Sequence, residues 1–273
     1  MIGQKGLINR IDKLIEQKIF PQFAIIVGQR GSGKKTLCSE IFQKLNVFAC
    51  FEPDNKVETV RNVIIDAYKV GSPTCYVFAD VDDMSVQAKN ALLKIVEEPP
   101  KNAYFIMTVN DISTVLPTIL SRATTFYMQP YSKAELLEYG KPTVDADIVT
   151  DICATPGDID LLYSMGVNEF YSYVEKVVDN IAYVGTSNVF KLTEKIALKP
   201  EAKGYDLRLF LIAFERVCTK ELMKCLSDKD DRDYWIDGIK IASDTLSVLQ
   251  SVTGINKSAL LDTFIIKIRK VWS

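Results

Sequence analysis

Phe23-Ala24-Ile25-Ile26-Val27-Gly28-Gln29-Arg30-Gly31-Ser32-Gly33-Lys34-Lys35-Thr36-Leu37 is the stretch that decides the fold. The apolar run Phe23 to Val27 reads as a buried parallel strand. Gly28, Gly31 and Gly33 follow, then Lys34, then a segment from Lys35 to Leu45 that reads as a helix. Strand, glycine-rich turn and helix in that order make a P-loop. Glycines let the backbone fold tightly enough to aim N–H groups at phosphates, and the helix N-terminus adds positive potential. Lys34 is spaced to reach the β- and γ-phosphates. Gly28, Gly31, Ser32, Gly33, Lys34, Lys35 and Thr36 are the candidate nucleotide-binding residues. The plainer alternative is a glycine turn that merely joins strand to helix.

The motif departs from its usual ending. After Gly-Lys a Ser or Thr normally supplies a hydroxyl to Mg²⁺. Here Lys35 holds that place and Thr36 comes one residue late. A protonated lysine cannot ligate a metal. Two unit charges ~4 Å apart interact by ~4 kcal/mol at an effective dielectric of ~20, and a divalent ion doubles that repulsion before phosphates offset it. The loop is expected to hold ATP or ADP weakly and to handle Mg²⁺ badly.

Composition narrows the rest. With 273 residues and 48% hydrophobic content the chain can bury a good core in one to three domains. A net charge of −2 gives no free-standing nucleic-acid footprint. No apolar run is long enough to cross a membrane, and Met1-Ile2-Gly3-Gln4 does not resemble a signal peptide, so a cytoplasmic chain is expected. Histidine is absent, which removes Ser-His-Asp and Cys-His catalysis and any histidine-ligated metal. The cysteines, Cys38, Cys50, Cys75, Cys153, Cys218 and Cys225, form no CxxC pair. Buried free thiols are expected, and no zinc.

Outward from the P-loop, apolar spacing predicts a helix over Gly6 to Lys18, broken by Pro21. Short strands are predicted at Val47–Cys50, Thr74–Ala79, Tyr104–Val109 and Thr125–Met128. Helices are predicted over Val57–Val70 and from an Ser85 N-cap to Glu97, where Pro99-Pro100 stop it. A short turn or helix covers Leu116–Leu120. Strands alternating with helices imply a parallel sheet with right-handed crossovers. Ligands in such sheets sit beyond the carboxyl ends of the strands. Asp80, with Asp82 and Asp83 behind it, and Asn110-Asp111 lie at such ends. The alternative for Asp82 and Asp83 is an acidic, solvated loop.

The segment Asn90-Ala91-Leu92-Leu93-Lys94-Ile95-Val96-Glu97-Glu98-Pro99-Pro100 resembles the AAA+ subunits of sliding-clamp loaders, whose hallmark is an NALLK…EEPP run. Ile2-Gly3-Gln4 resembles the family's opening, Thr108 to Asn110 its sensor-1 strand, and Leu116 to Arg122 its arginine-finger segment. The similarity is strong over residues 1–130 and weak beyond. It implies an α/β AAA+ P-loop domain at 1–130, a small helical lid at 131–166, and an all-α C-terminal collar domain at 167–273. It also implies DNA replication, partner subunits in a hetero-oligomeric ring, a sliding clamp, and primer-template DNA reached through the assembly.

Several departures from the family pattern bear on activity. The Walker B pair, Asp then Glu, falls on Ala79 and Asp80. The Walker A metal ligand is Lys35. The lid's sensor-2 cation is replaced by Asp160, three residues after Gly157, where a carboxylate would repel a γ-phosphate. Arg122 is retained. An arginine finger acting on a neighbour can be worth ~10³–10⁵ in rate. The pattern is most similar to the δ′ class of DNA polymerase III clamp-loader subunits, bacterial or phage, without the four-cysteine zinc module common in the bacterial ones. It implies a non-hydrolysing subunit with Arg122 as a trans finger, Asp80 as a Walker B-like acid and Asn110 as sensor 1. The alternative is an active motor subunit, with Thr36 and one of Asp80, Asp82 or Asp83 holding the metal. From Val167 onward the signals are helical only: Phe170–Val184, Asn188–Leu198, Tyr205–Leu226, Tyr234–Val252 and Ser258–Val271, with a charged separator at Ser227–Asp233.

Overall fold

The structure, a computed structural model, describes residues 1–141, 146–183, 191–197, 204–226, 229–252 and 254–272. Five strands form one sheet: β1 Phe23–Val27, β2 Ala49–Phe51, β3 Thr74–Phe78, β4 Ala103–Val109 and β5 Thr124–Tyr127. Their order is β2-β3-β4-β1-β5, and every pair is parallel. The helices flanking them are α1 Lys5–Glu16, α2 Lys34–Leu45, α3 Val57–Ala67, α4 Val86–Glu97 and the short α5 Pro117–Leu120.

β1, β3 and β4 are apolar on both faces, as a covered parallel sheet requires. Successive side chains alternate between the faces. Phe23, Ile25 and Val27 join Phe78, Phe105 and Met107 against α3 and α4. Ala24 and Ile26 join Val77, Ile106 and Phe126 against α1 and α2. With β1 paired to β4 on one side and β5 on the other, the carboxyl ends of β1, β3 and β4 lie side by side. The P-loop, Asp80 and Asn110 leave from those ends.

The chain divides into two compact units: Met1–Glu135 with Thr155–Gly157, and Leu136–Ala154 with Asp158–Ser273. The second unit is built round helix Leu207–Lys224, which buries residues nearly all round, from Leu207 and Phe210 to Phe214 and Cys218. Asp206 caps it, accepting from the Leu209 N–H at 3.0 Å. Trp272 lies over Tyr234, with ring centroids 4.4 Å apart, and its indole N–H donates to the Tyr234 carbonyl at 2.9 Å. Asp158, buried, pairs with Arg208 and accepts the Ala154 N–H at 3.0 Å.

Three expectations change. The strand predicted at Val47–Cys50 runs Ala49–Phe51, because Val47 is taken into the core and the Phe48 N–H is tied to the Pro73 carbonyl at 2.8 Å. The tail is not helical throughout. Ile196–Ala197, inside the predicted Asn188–Leu198 helix, pairs in parallel with Tyr205–Asp206, so helix Leu207–Lys224 starts after Tyr205. Ile196 is buried there, and the Tyr205 ring packs on Phe170 and Tyr173. Residues 188–190 and 198 of that predicted helix lie outside the described residues. The charged stretch read as a separator is partly helix, since Lys229–Ser251 takes in its end.

Candidate functional site

The P-loop backbone needs its glycines. Gly31 and Gly33 sit at φ +78° and +89°, left-handed values that side chains resist. A Cβ on Gly28 would lie 2.8 Å from Ser32 Oγ and 3.0 Å from Met128 Cβ. Gly33 is the N-cap of α2, so the helix starts one residue earlier than its apolar spacing suggests. Ser32 is buried; its hydroxyl meets Met128 Sδ at 3.3 Å, and its carbonyl accepts from the Tyr131 hydroxyl at 2.7 Å. The Gly157 N–H donates to the Gly31 carbonyl at 3.0 Å, and a Cβ on Gly157 would fall 2.6 Å from Gly31 Cα. Thr155 Oγ1 donates to the Arg30 carbonyl at 3.2 Å.

Lys34 is buried, and its ammonium donates to the carbonyls of Gly28 and Gln29 at 2.9 and 3.2 Å and to Asn110 Oδ1 at 2.8 Å. Asp80 Oδ1 is 3.7 Å away. Burial pulls the ammonium below the usual lysine range, against the opposing pull of Asp80 and Asp82. Lys35 turns outward to Glu52, whose carboxylate raises its pKa. Its charge is thus partly neutralised on the edge strand's flank, which tempers the repulsion expected from position 35. Thr36 is exposed on the first turn of α2.

The acidic trio separates into distinct roles. Asp80 is exposed, at φ +48°, with its N–H donated to the buried Thr108 hydroxyl at 2.9 Å. Asp80, Asn110 and the P-loop therefore come together around Lys34. Asp82 is neither a solvated loop residue nor a free metal ligand. Its carboxylate accepts from the backbone N–H groups of Asn110 and Asp111 and from Asn110 Nδ2, at 2.8–3.0 Å. Asp83 is exposed. Arg122 belongs to a different place, after α5: it donates to the Thr118 carbonyl at 3.0 Å and Ser121 Oγ at 3.2 Å, and faces Glu97 Oε1 at 3.3 Å. Asp160, at the expected sensor-2 position, accepts from the Tyr139 hydroxyl at 2.9 and 3.1 Å.

Gly31, Gly33 and the buried Lys34 give this loop the residue types and turns of a phosphate cradle. Of the positions round it, 35 offers an ammonium, 79 a methyl, and Asp82 is committed to backbone N–H groups, which leaves Asp80, exposed and 3.7 Å from Lys34, as the carboxylate at this place. Among the described residues no group of three or more metal-ligating side chains gathers anywhere.

A family model described as DNA polymerase III, delta subunit, matches residues 13–132. The chain is 26% identical over 247 residues to the replication factor C small subunit of Methanosphaera stadtmanae, covering 82% of this chain and 77% of that protein. It is 25% identical over 173 residues to DNA polymerase III subunit gamma of Buchnera aphidicola subsp. Acyrthosiphon pisum, covering 52% of this chain and 47% of that one. The chain is thus similar to clamp-loader subunits, over residues 13–132 in the family model and over most of its length in the replication factor C relative.

Solved structures agree on the AAA+ fold alone. A DNA polymerase III gamma subunit-related protein of Thermotoga maritima superposes with a TM-score of 0.53 at 15% identity, covering 98% of this chain and 100% of that one. The RuvB Holliday junction branch migration motor of the same organism gives 0.53 at 14%, covering 96% and 88%. The chain spans about half the length of the gamma subunits it matches.

Several residues of this site escape a reading of the sequence. Lys89 is buried in α4, donating to the carbonyls of Asp82 and Thr114 at 3.2 and 2.8 Å. Its place among apolar residues on the helix face is the only available signal. Glu52 and Tyr131 meet the P-loop from distant positions, which spacing cannot reveal. Gly157 had a signal: a glycine at the head of a helix marks a close backbone approach.

Proposed function

We propose that this chain is a stator-like, non-hydrolysing subunit of a DNA sliding-clamp loader, δ′-like in its losses, which lends Arg122 to the ATPase site of a neighbouring subunit. The observation that carries the reading is the donor chemistry at the P-loop. The phosphate cradle is intact, while the two places that should present oxygen ligands to Mg²⁺ hold Lys35, turned to Glu52, and Ala79. The relatives named replication factor C and DNA polymerase III support the replication setting. On this reading the partners are other ring subunits, a sliding clamp and primer-template DNA, residues 131–166 serve as lid, 167–273 as collar, and the setting is the cytoplasm. No described helix is long and apolar enough to cross a membrane.

Arg122 stabilises charge developing on a neighbour's γ-phosphate, a task that needs an exposed guanidinium on a fixed stem. Its backbone and Thr118 contacts supply the stem. A second reading, an active motor subunit, draws on Asp80 standing 3.7 Å from Lys34. Asp80 is a methylene shorter than the usual Glu and would hold an attacking water poorly.

The test is ATP turnover with Mg²⁺ by the purified chain, beside a Lys34→Ala control. Turnover no greater than the control is expected. Brisk hydrolysis lost in Lys34→Ala would overturn the proposal in favour of the motor.

A further inference from the structure

α4 ends against local preference. Glu97 and Glu98 stand at its carboxyl end, where the helix dipole is negative and a cation is favoured. Pro99-Pro100 then fix the stop. A carboxylate kept at an unfavourable helix end calls for a partner that makes use of it. That partner is the Arg122 guanidinium, 3.3 Å from Glu97 Oε1. Arg122 has two further anchors, the Thr118 carbonyl within α5 and Ser121 Oγ. All three contacts converge on the guanidinium, with Glu97 supplying the charge.

We infer that Glu97 is a positioning residue: its carboxylate and the α5 carbonyl together hold the Arg122 guanidinium at the angle from which it is presented to a neighbouring subunit. This rests on the reading of Arg122 as a trans finger. A freely rotating arginine must be ordered each time it meets a γ-phosphate; a guanidinium already held between a carboxylate and a carbonyl has lost that freedom in advance. Both side chains are exposed, so the pair adds little to folding. Its effect belongs to the orientation of the cation. In this account the first Glu of the Glu-Glu-Pro-Pro run orients the finger and the prolines end the helix that carries it.

The experiment is steady-state ATP hydrolysis by the assembled complex containing this chain and a competent neighbour, with Glu97→Gln, Glu97→Lys, Arg122→Ala and the double variant Glu97→Gln/Arg122→Ala. Gln keeps the shape and removes the charge. Glu97→Gln is expected to lower kcat by up to about fivefold with KM for ATP unmoved, and Glu97→Lys to lower it further. The double variant should turn over no more slowly than Arg122→Ala alone. Full turnover in Glu97→Gln, with Arg122→Ala impaired, overturns the positioning role and leaves the finger standing. A further loss from Glu97→Gln in the Arg122→Ala background also overturns it, since Glu97 would then act by another route. Full turnover in Arg122→Ala, with assembly intact by size, removes the finger reading and this inference with it.

Discussion

Asp82 and Asp83 are neighbours of the same type, and nothing in their spacing tells them apart. The structure gives Asp82 the backbone N–H groups of Asn110 and Asp111 and leaves Asp83 in solvent. Asp82→Ala should therefore destabilise the chain by roughly 2–3 kcal/mol, since charge-assisted bonds to otherwise unpaired N–H groups are lost. Asp83→Ala should stay within about 0.5 kcal/mol. Urea unfolding followed by far-UV circular dichroism compares the two, and equal losses would refute the distinction. The thiols divide in a similar way. Cys50 is exposed rather than buried, and a hydrogen bond from Cys75 pulls its pKa down. Burial pushes Cys38 up to about 12, and Cys75 is also pushed well up, by its bond to Cys50 and by burial. The thiolate is the nucleophile, so a lowered pKa means more of it at neutral pH. Brief iodoacetamide treatment of the folded chain at pH 7.5 should label Cys50 well ahead of Cys38 and Cys75, read by peptide mass spectrometry. Equal labelling would contradict that order.

At the scale of elements, α4 was largely legible and its interior was not. Ser85 reads as a cap, and its hydroxyl does accept the Ala88 N–H, at 3.2 Å. Ser85→Ala should cost about 1 kcal/mol in thermal or chemical unfolding; no change would mean the bond has no energetic weight. The apolar spacing of Ala88, Leu92, Ile95 and Val96 gives the buried face correctly. Lys89 shares that burial because two backbone carbonyls take its ammonium, and those carbonyls belong to residues 82 and 114. Long-range acceptors of this kind leave no trace in periodicity. The strands show the same limit. A continuous apolar run such as Phe23 to Val27 announces burial on both faces but not which residue meets α4 and which α2. In the helical tail, Ile196 and Tyr205 lie near helical spacing with their neighbours, yet they pair as strands, because strand pairing depends on a partner that spacing along one segment does not contain.

Across the whole molecule, the two units differ in what can report on them. Both tryptophans, Trp235 and Trp272, lie in the helical unit, so indole fluorescence reports on that unit. Nucleotide binding is better read by amide hydrogen exchange in β1 and α2. A ligand that binds only the folded state stabilises it by about 0.4 kcal/mol when its concentration equals Kd and by about 2.7 kcal/mol at a hundredfold excess. With Lys35 and Ala79 where metal ligands belong, millimolar Mg-ATP should slow exchange in the natural chain no more than the first of these figures implies. Ala79→Asp combined with Lys35→Thr returns a carboxylate and a hydroxyl to the two places, and removes an ammonium from the metal's side of the cradle. Protection should then rise toward the second figure, and only with Mg²⁺ present. Nucleotide without the metal should distinguish the two proteins far less, because the glycine cradle and Lys34 are common to both. Strong Mg-ATP protection already present in the natural chain, or none gained in the double variant, would show that the altered donors are not what governs this site.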